Sequence, residues 1–450
     1  MAGRNGIKDI FRTLCCRNFR LFFIGQGISL TGTWMQRIAL PWLVYQQSGS
    51  SLMLGLVAFS GLAPSFIMTP LAGVLIDRWN RYHIVMVTQI LSLIQALMLA
   101  YCCFTGNISV GMIILLNVFL GVINAFEMPA RQAFLLELID DKTDYCNALA
   151  VNSTIVNGAR LIGPSIAGII ITYGGEALCF LINGMSYIAV IISLVMMKTL
   201  PINEKIKNSG LFHEMKEGFA YAFGFQPVRN VLLLYGVVCL SGWPCTVLMP
   251  VVARDLLHGG ASTFSLLMMA SGAGALIGAL CLAYRKNISG MDTVIASATA
   301  LFGFGIIALS FSRNLILSMI VLAVTGACMM LLMATTVSFI QTIIEESKRG
   351  RIMSCYVMIF TGAAPVGSYL TGALSTRVGA PYTLALGGLV CLIGAFIFIA
   401  GKFSLNDISK DKVIARHDLS MTFELRKVFS FSFQNRTGFS TRQEEYIKKT

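Results

Sequence analysis

The chain has 450 residues, 56% of them hydrophobic and 12% charged, with a mean hydropathy of +0.75. That composition excludes a soluble globular domain, and apolar runs of about 20 residues, each enough for one spanning helix, recur along the sequence. A net charge of +13 could suggest nucleic acid, but cytoplasmic loops of membrane proteins collect Lys and Arg, so no nucleic-acid partner is expected.

Residues 1–18 are basic and lead into an apolar run with no small-residue cleavage site, so they are expected to stay attached as a cytoplasmic N-terminus. Spans are predicted at 19–45, 53–76, 84–104, 108–126, 146–172 and 177–197, then at 229–253, 263–284, 293–312, 315–340, 352–375 and 381–402. The expected fold is an all-α membrane protein of twelve transmembrane helices in two pseudo-symmetric six-helix halves, 19–198 and 229–402. Between them, 199–228 forms a cytoplasmic linker, in which Phe212, Met215, Phe219 and Phe223 recur at the spacing of an amphipathic helix. The tail 403–450 is basic and polar, and is expected to be disordered in the cytoplasm.

Charge supports this topology. Of 34 Lys and Arg, 29 fall on the predicted inner side, three (Arg254, Arg313, Arg377) on the outer side and two (Arg37, Arg160) inside spans. Both termini are therefore expected in the cytoplasm. The halves also repeat one another: Gly27, Trp34 and Pro41 recur at the same spacing as Gly236, Trp243 and Pro250, and Gly158, Gly163 and Gly168 as Gly362, Gly367 and Gly372. Two related halves with a site between them at mid-membrane suit alternating access.

Between the second and third spans, Gly73 to His83 reads as a short cytoplasmic hinge. Gly73 would let a neighbouring helix approach closely, and Asp77, Arg78 and Arg81 could exchange ion-pair partners as helices tilt. At the inner end of the fourth span, Glu127, Pro129, Arg131 and Gln132 form a second charged run. Gly73, Asp77, Arg78, Arg81, Glu127 and Arg131 are the candidate gate, and Glu127 is the best candidate for a titrating carboxylate. A plain cytoplasmic ion pair is the competing reading of Glu127 and Arg131.

Chemistry of other kinds lacks its parts. No nucleotide-binding glycine loop, nucleophile with a base at hand or metal-ligand spacing is present, so neither an enzyme nor a cofactor or metal site is expected. The twelve cysteines lie mostly in apolar runs and read as small hydrophobes.

The intramembrane charges matter more. A central Arg costs on the order of 2.5 to 3.5 kcal/mol on insertion scales, so it faces a partner or a wet cavity. Arg160 shares a helix face with Asn157 and Ser153, Arg37 lies below Thr33, and Asn117, Gly121 and Asn124 stripe the fourth span. Arg37, Asn117, Asn124, Asn157 and Arg160 are the candidate substrate-binding residues of the first half, joined by Met329 and Met333 from the tenth span. Basic residues without facing acids favour an anionic or acid-bearing substrate; helix cohesion is the alternative for the two arginines. In the fifth span Gly158, Gly163, Pro164 and Gly168 form a candidate helix-bend and packing motif.

Gly73, Leu75, Asp77, Arg78 and Arg81 resemble the signature loop of the major facilitator superfamily, departing from it at Asn80 and Tyr82. The fifth-span glycines and Pro164 resemble the antiporter motif of its exporters. Asn18 to Phe22, Gly32 to Arg37, Pro129 to Gln132 and Arg160 to Pro164 resemble the bacterial branch that includes the enterobactin exporter and related drug and macrolide efflux proteins. The resemblance implies a monomeric secondary transporter of a bacterial cytoplasmic membrane, with protons as a coupling ion. It would export a small amphiphilic or anionic molecule, a siderophore first and drugs next. Import of a siderophore or lysophospholipid, and a non-transporting sensor acting through the tail, are the alternatives.

Overall fold

The structure, a computed structural model, describes residues 12–139, 144–197, 221, 223–284, 290–344 and 346–401. The tail 403–450 and most of the linker, including Phe212, Met215 and Phe219, lie outside the described residues. Met1–Phe396 form one compact unit; of the second, Ile397–Thr450, only the last helical turn is described.

Among the described residues the long elements are all helices: α1 (Arg17–Ser48), α2 (Ser51–Arg78), α3 (Arg81–Phe104), α4 (Val110–Glu137) and α5 (Tyr145–Val195). They continue as α6 (Gln226–Leu256), α7 (Ala261–Tyr284), α8 (Met291–Phe311), α9 (Leu315–Ile343), α10 (Glu346–Val378) and α11 (Ala380–Ala400). Ten of these are long and apolar enough to cross a membrane. The other is α1, whose 32 residues have the length but include Arg17, Arg20 and Arg37. Because short turns join antiparallel neighbours, the bundle has a terminal face, where α1 begins and α2 ends, and a distal face, where α1 ends and α2 begins.

Two elements differ from their predicted spans. The stretches predicted at 146–172 and 177–197 lie in α5, whose 51 residues are two helices that meet at Gly175, where φ 76° and ψ 174° are open to glycine alone. At about 1.5 Å per residue, α5 is long enough for two crossings. Around Pro244 and Pro250, α6 is irregular: wide turns at Val238–Gly242 and Val252–Leu256 flank a tight 3-10 stretch at Trp243–Leu248. Finally, α4 runs eleven residues beyond the predicted end at 126, through Pro129 to Glu137.

Among the described residues, two apolar cores toward the terminal face share no residue. One packs Phe19, Phe22, Ile76, Val85, Phe134 and Leu194 from α1 to α5; the other packs Val228, Leu232, Tyr235, Ile340, Ile352 and Tyr356 from α6, α9 and α10. Phe22 meets Phe134 edge-on at 5.4 Å and Tyr235 stacks on Tyr356 at 4.4 Å, geometries worth about 0.5–1.5 kcal/mol beyond area burial. The two groups of helices meet where α2 packs on α10 and α5 on α7. Small residues permit these approaches: Gly55 lies against Gly372, and Gly168 against Ser265.

Candidate functional site

The α1–α5 contact builds the centre of the site. Gly163 is its key: a Cβ there would lie 2.4 Å from Cβ of Trp34 and 3.0 Å from the carbonyl oxygen of Thr31. With no side chain at 163, α5 closes on α1 and brings Arg160 against the Trp34 ring. Its guanidinium carbon is 5.7 Å from the ring centroid, and that of Arg37, one turn along α1, is 4.8 Å away. The backbone of Arg160 is in turn pressed by α7, where a Cβ on Gly272 would stand 2.9 Å from the Arg160 carbonyl oxygen.

Two cations thus share one indole. Cation–π attraction supplies about 0.5–2 kcal/mol each, less than the cost of placing an arginine at mid-membrane. Among the described residues no carboxylate is within ion-pair distance of either guanidinium. Arg160 is 15 residues into α5, about 22 Å along it, and Arg37 is exposed although it lies in the middle of α1. The arrangement is a pair of guanidinium groups gathered on one ring between α1 and α5. Beside it the hydroxyls of Thr33 and Tyr187 are 3.4 Å apart.

The lengthened α4 alters one expectation. Glu127 and Arg131 are not at a helix end beside a loop; they sit inside α4 as an i, i+4 ion pair of 2.8 Å, both largely buried, and within electrostatic range of Arg37. An acid therefore does lie within a membrane helix, neutralised by its own arginine.

The hinge also takes a different form. Gly73 to Arg78 are helical, α3 begins at Arg81, and only Trp79 and Asn80 separate the two helices. Asn80 departs from the resembled pattern because it caps α3, its side-chain oxygen accepting from the Tyr82 N–H at 2.9 Å. Gly73 was expected to admit a close neighbour, yet a Cβ there would meet nothing within 4 Å. Arg78 is exposed, and the side chain of Asp77 lies outside the described residues. Arg81 donates to Glu137 at 2.5 Å, bracing the start of α3 to the end of α4 within one group of helices. Glu137 was not singled out from the sequence; that pair exists only once α4 reaches 137.

Several expected binding residues are engaged in packing. Asn117 is buried and donates to the Val57 carbonyl at 2.6 Å, sealing α4 to α2 beside Gly61 and Gly121. Asn157 donates to the Ser153 carbonyl at 2.9 Å in its own helix. Asn124 is half-buried on α4, Met329 is buried, and Met333 packs against the second core. In the α5 motif, Gly163 and Gly168 make close contacts, whereas Gly158 has nothing within 4 Å. Pro164 is buried inside α5. Trp34, noted in the sequence only as part of a repeat, proves to be the residue on which Arg37 and Arg160 converge. A buried relay of Asn183, Gln36 and Gln95, at 2.7 and 3.3 Å, lies one residue from Arg37 and ties α1 to α3 and α5.

Among the described residues, a bundle with ten helices long and apolar enough to cross a membrane defines a multi-pass membrane protein. The model of the transmembrane secretion effector family, a major facilitator family, matches residues 10–439, and the chain belongs to that family. It is similar to the staphyloferrin A transporter of Staphylococcus aureus, at 26% identity over 86% of this chain and 97% of the relative. It is also similar to macrolide efflux protein A of Streptococcus pyogenes, at 21% identity over 83% and 94%. Among solved structures, a bacterial homologue of the iron transporter ferroportin superposes with a TM-score of 0.67 at 14% identity, covering 85% of this chain and 98% of that one. The family and these relatives are transporters, not enzymes.

Proposed function

We propose that the protein is a proton-driven secondary exporter of a small anionic or amphiphilic metabolite, a siderophore above all, across a bacterial cytoplasmic membrane. The observation that carries this reading is the convergence of Arg37 and Arg160 on Trp34 with no carboxylate of the described residues at ion-pair distance. Arginine suits the task because its fork can hold a carboxylate bidentately while stacking on an aromatic ring. The siderophore transporter among the relatives supports the substrate class, and the efflux proteins support the direction. Drugs are the second reading, favoured by the macrolide efflux relative.

In this account α5 crosses twice, giving twelve crossings in two six-helix halves with both termini in the cytoplasm. The terminal face is then the cytoplasmic one. Two separate apolar cores let each half move as a body about the α2–α10 and α5–α7 contacts. The protein acts as a monomer, with Asp77, Arg78 and Arg81 meeting the other half when the cytoplasmic side closes. Glu127 carries the proton: ionised, it holds Arg131; protonated, it releases that guanidinium.

Everted membrane vesicles test both parts. An outward-directed proton gradient, acid inside, is expected to drive uptake of a carboxylate siderophore. In Glu127→Gln, which cannot take up a proton at that position, the gradient is expected to lose its effect while exchange of the siderophore at equal pH persists. A Glu127→Gln protein that still responds fully to the gradient would remove the coupling assignment, and vesicles that never take up the anion would remove the substrate class.

A further inference from the structure

The repeat of α1 in α6 has a consequence at the distal face. Pro41 and Pro250 are equivalent, so Tyr45, four residues after the first, corresponds to Arg254, four residues after the second. Elements related by a pseudo-two-fold meet at equivalent positions near the axis, and these two do: the Arg254 guanidinium lies 5.6 Å from the centroid of the Tyr45 ring. The neighbouring Asp255 accepts a hydrogen bond from the Tyr45 hydroxyl at 2.5 Å. Tyr45 is buried, while Arg254 and Asp255 are exposed.

We infer that Tyr45, Arg254 and Asp255 form an outer latch that holds the distal face shut while the terminal face is open. Around them the distal ends of the two helix groups are in contact. Trp42 stacks on Phe264 at 6.1 Å, Ser375 donates to Ser51 at 3.1 Å, and Gly55 and Gly168 sit against Gly372 and Ser265. The closure at the distal face describes one state of an alternating cycle, and the latch is its most specific link. A hydroxyl donating to a carboxylate is among the stronger hydrogen bonds, and an outward opening must break it.

The orientation assumed here rests on the proposed function; the latch itself does not. The test uses Ser265→Cys, a small change at a residue buried beneath the distal contact, in a background whose other cysteines are replaced. A membrane-impermeant maleimide added to intact cells reaches Cys at 265 only when the distal face opens. Tyr45→Phe keeps the ring and Asp255→Asn keeps the shape, and each is expected to speed labelling at least about tenfold, the effect of one lost charge-assisted hydrogen bond. Adding Ser51→Cys and Ser375→Cys and oxidising them clamps the same face, and should return labelling to the slow rate. Unchanged labelling in both latch variants, in cells and in everted vesicles alike, would overturn the inference. So would fast labelling that persists under the clamp, since that reports loosened packing rather than an opened latch. Acceleration seen in everted vesicles but not in cells would support the latch and overturn the orientation, so the two readings fail separately.

Discussion

Replacing Arg160 with alanine is expected to lower siderophore efflux at least about thirtyfold, because truncating one partner of a buried charge-assisted contact costs about 2–5 kcal/mol. The loss is specific in form. Arg160→Lys keeps the charge but gives up the planar fork and much of the stacking on Trp34, so it should recover only part of the activity. Folding should survive both changes, since Arg160 makes no ion pair to a described residue and its backbone, not its side-chain charge, carries the contact with Gly272. Efflux measured beside the thermal stability of the purified protein separates the outcomes. Normal efflux in Arg160→Ala would mean that the two arginines serve only to hold helices together.

The second large effect is expected at Gly163. A valine there would bring a branched side chain onto the Cβ of Trp34 and the carbonyl of Thr31, neither of which can swing away. The α1–α5 contact would have to widen, at about 1–3 kcal/mol for overpacking, and Trp34 would leave its place between Arg37 and Arg160. Gly163→Val should therefore lower stability and abolish efflux together. Gly168→Val offers the contrast: it strikes Ser265 of α7 rather than α1, so it should impair the contact between helix groups while leaving the arginine cluster intact. The melting midpoint and siderophore binding of each purified variant distinguish the two, binding being lost in the first and kept in the second.

Much of this arrangement is written in local pattern. Apolar runs mark the helices, Arg160 falls mid-helix by simple counting, and Gly163 and Gly168 announce close packing because only small residues let membrane helices approach. What hydropathy cannot show is where a helix ends once it leaves the apolar layer. It marks the change at Phe126, whereas backbone hydrogen bonding carries α4 on through Pro129 to Glu137. That displaced Glu127 and Arg131 from a loop edge into the helix and hid the partner of Arg81. The irregular course of α6 was foreshadowed by Pro244 and Pro250, but not its alternation of wide and tight turns. The role of Trp34 is only half local: Arg37 lies one turn along the same helix, but Arg160 comes from a helix more than a hundred residues away, and nothing in the spacing joins it to Trp34. Asn117 shows the same limit from the other side, since a polar residue facing a neighbour's carbonyl and one facing a substrate look alike in sequence.

Export of an acidic metabolite through the paired arginines is tested by growing a deletion strain, the same strain carrying the intact gene and one carrying Arg160→Ala under iron limitation, and measuring siderophore inside the cells and in the medium. The expected result is retention inside the cell in the deletion and Arg160→Ala strains, with release restored by the intact gene. Normal release from all three strains, or failure of siderophore uptake with release unimpaired, would contradict it.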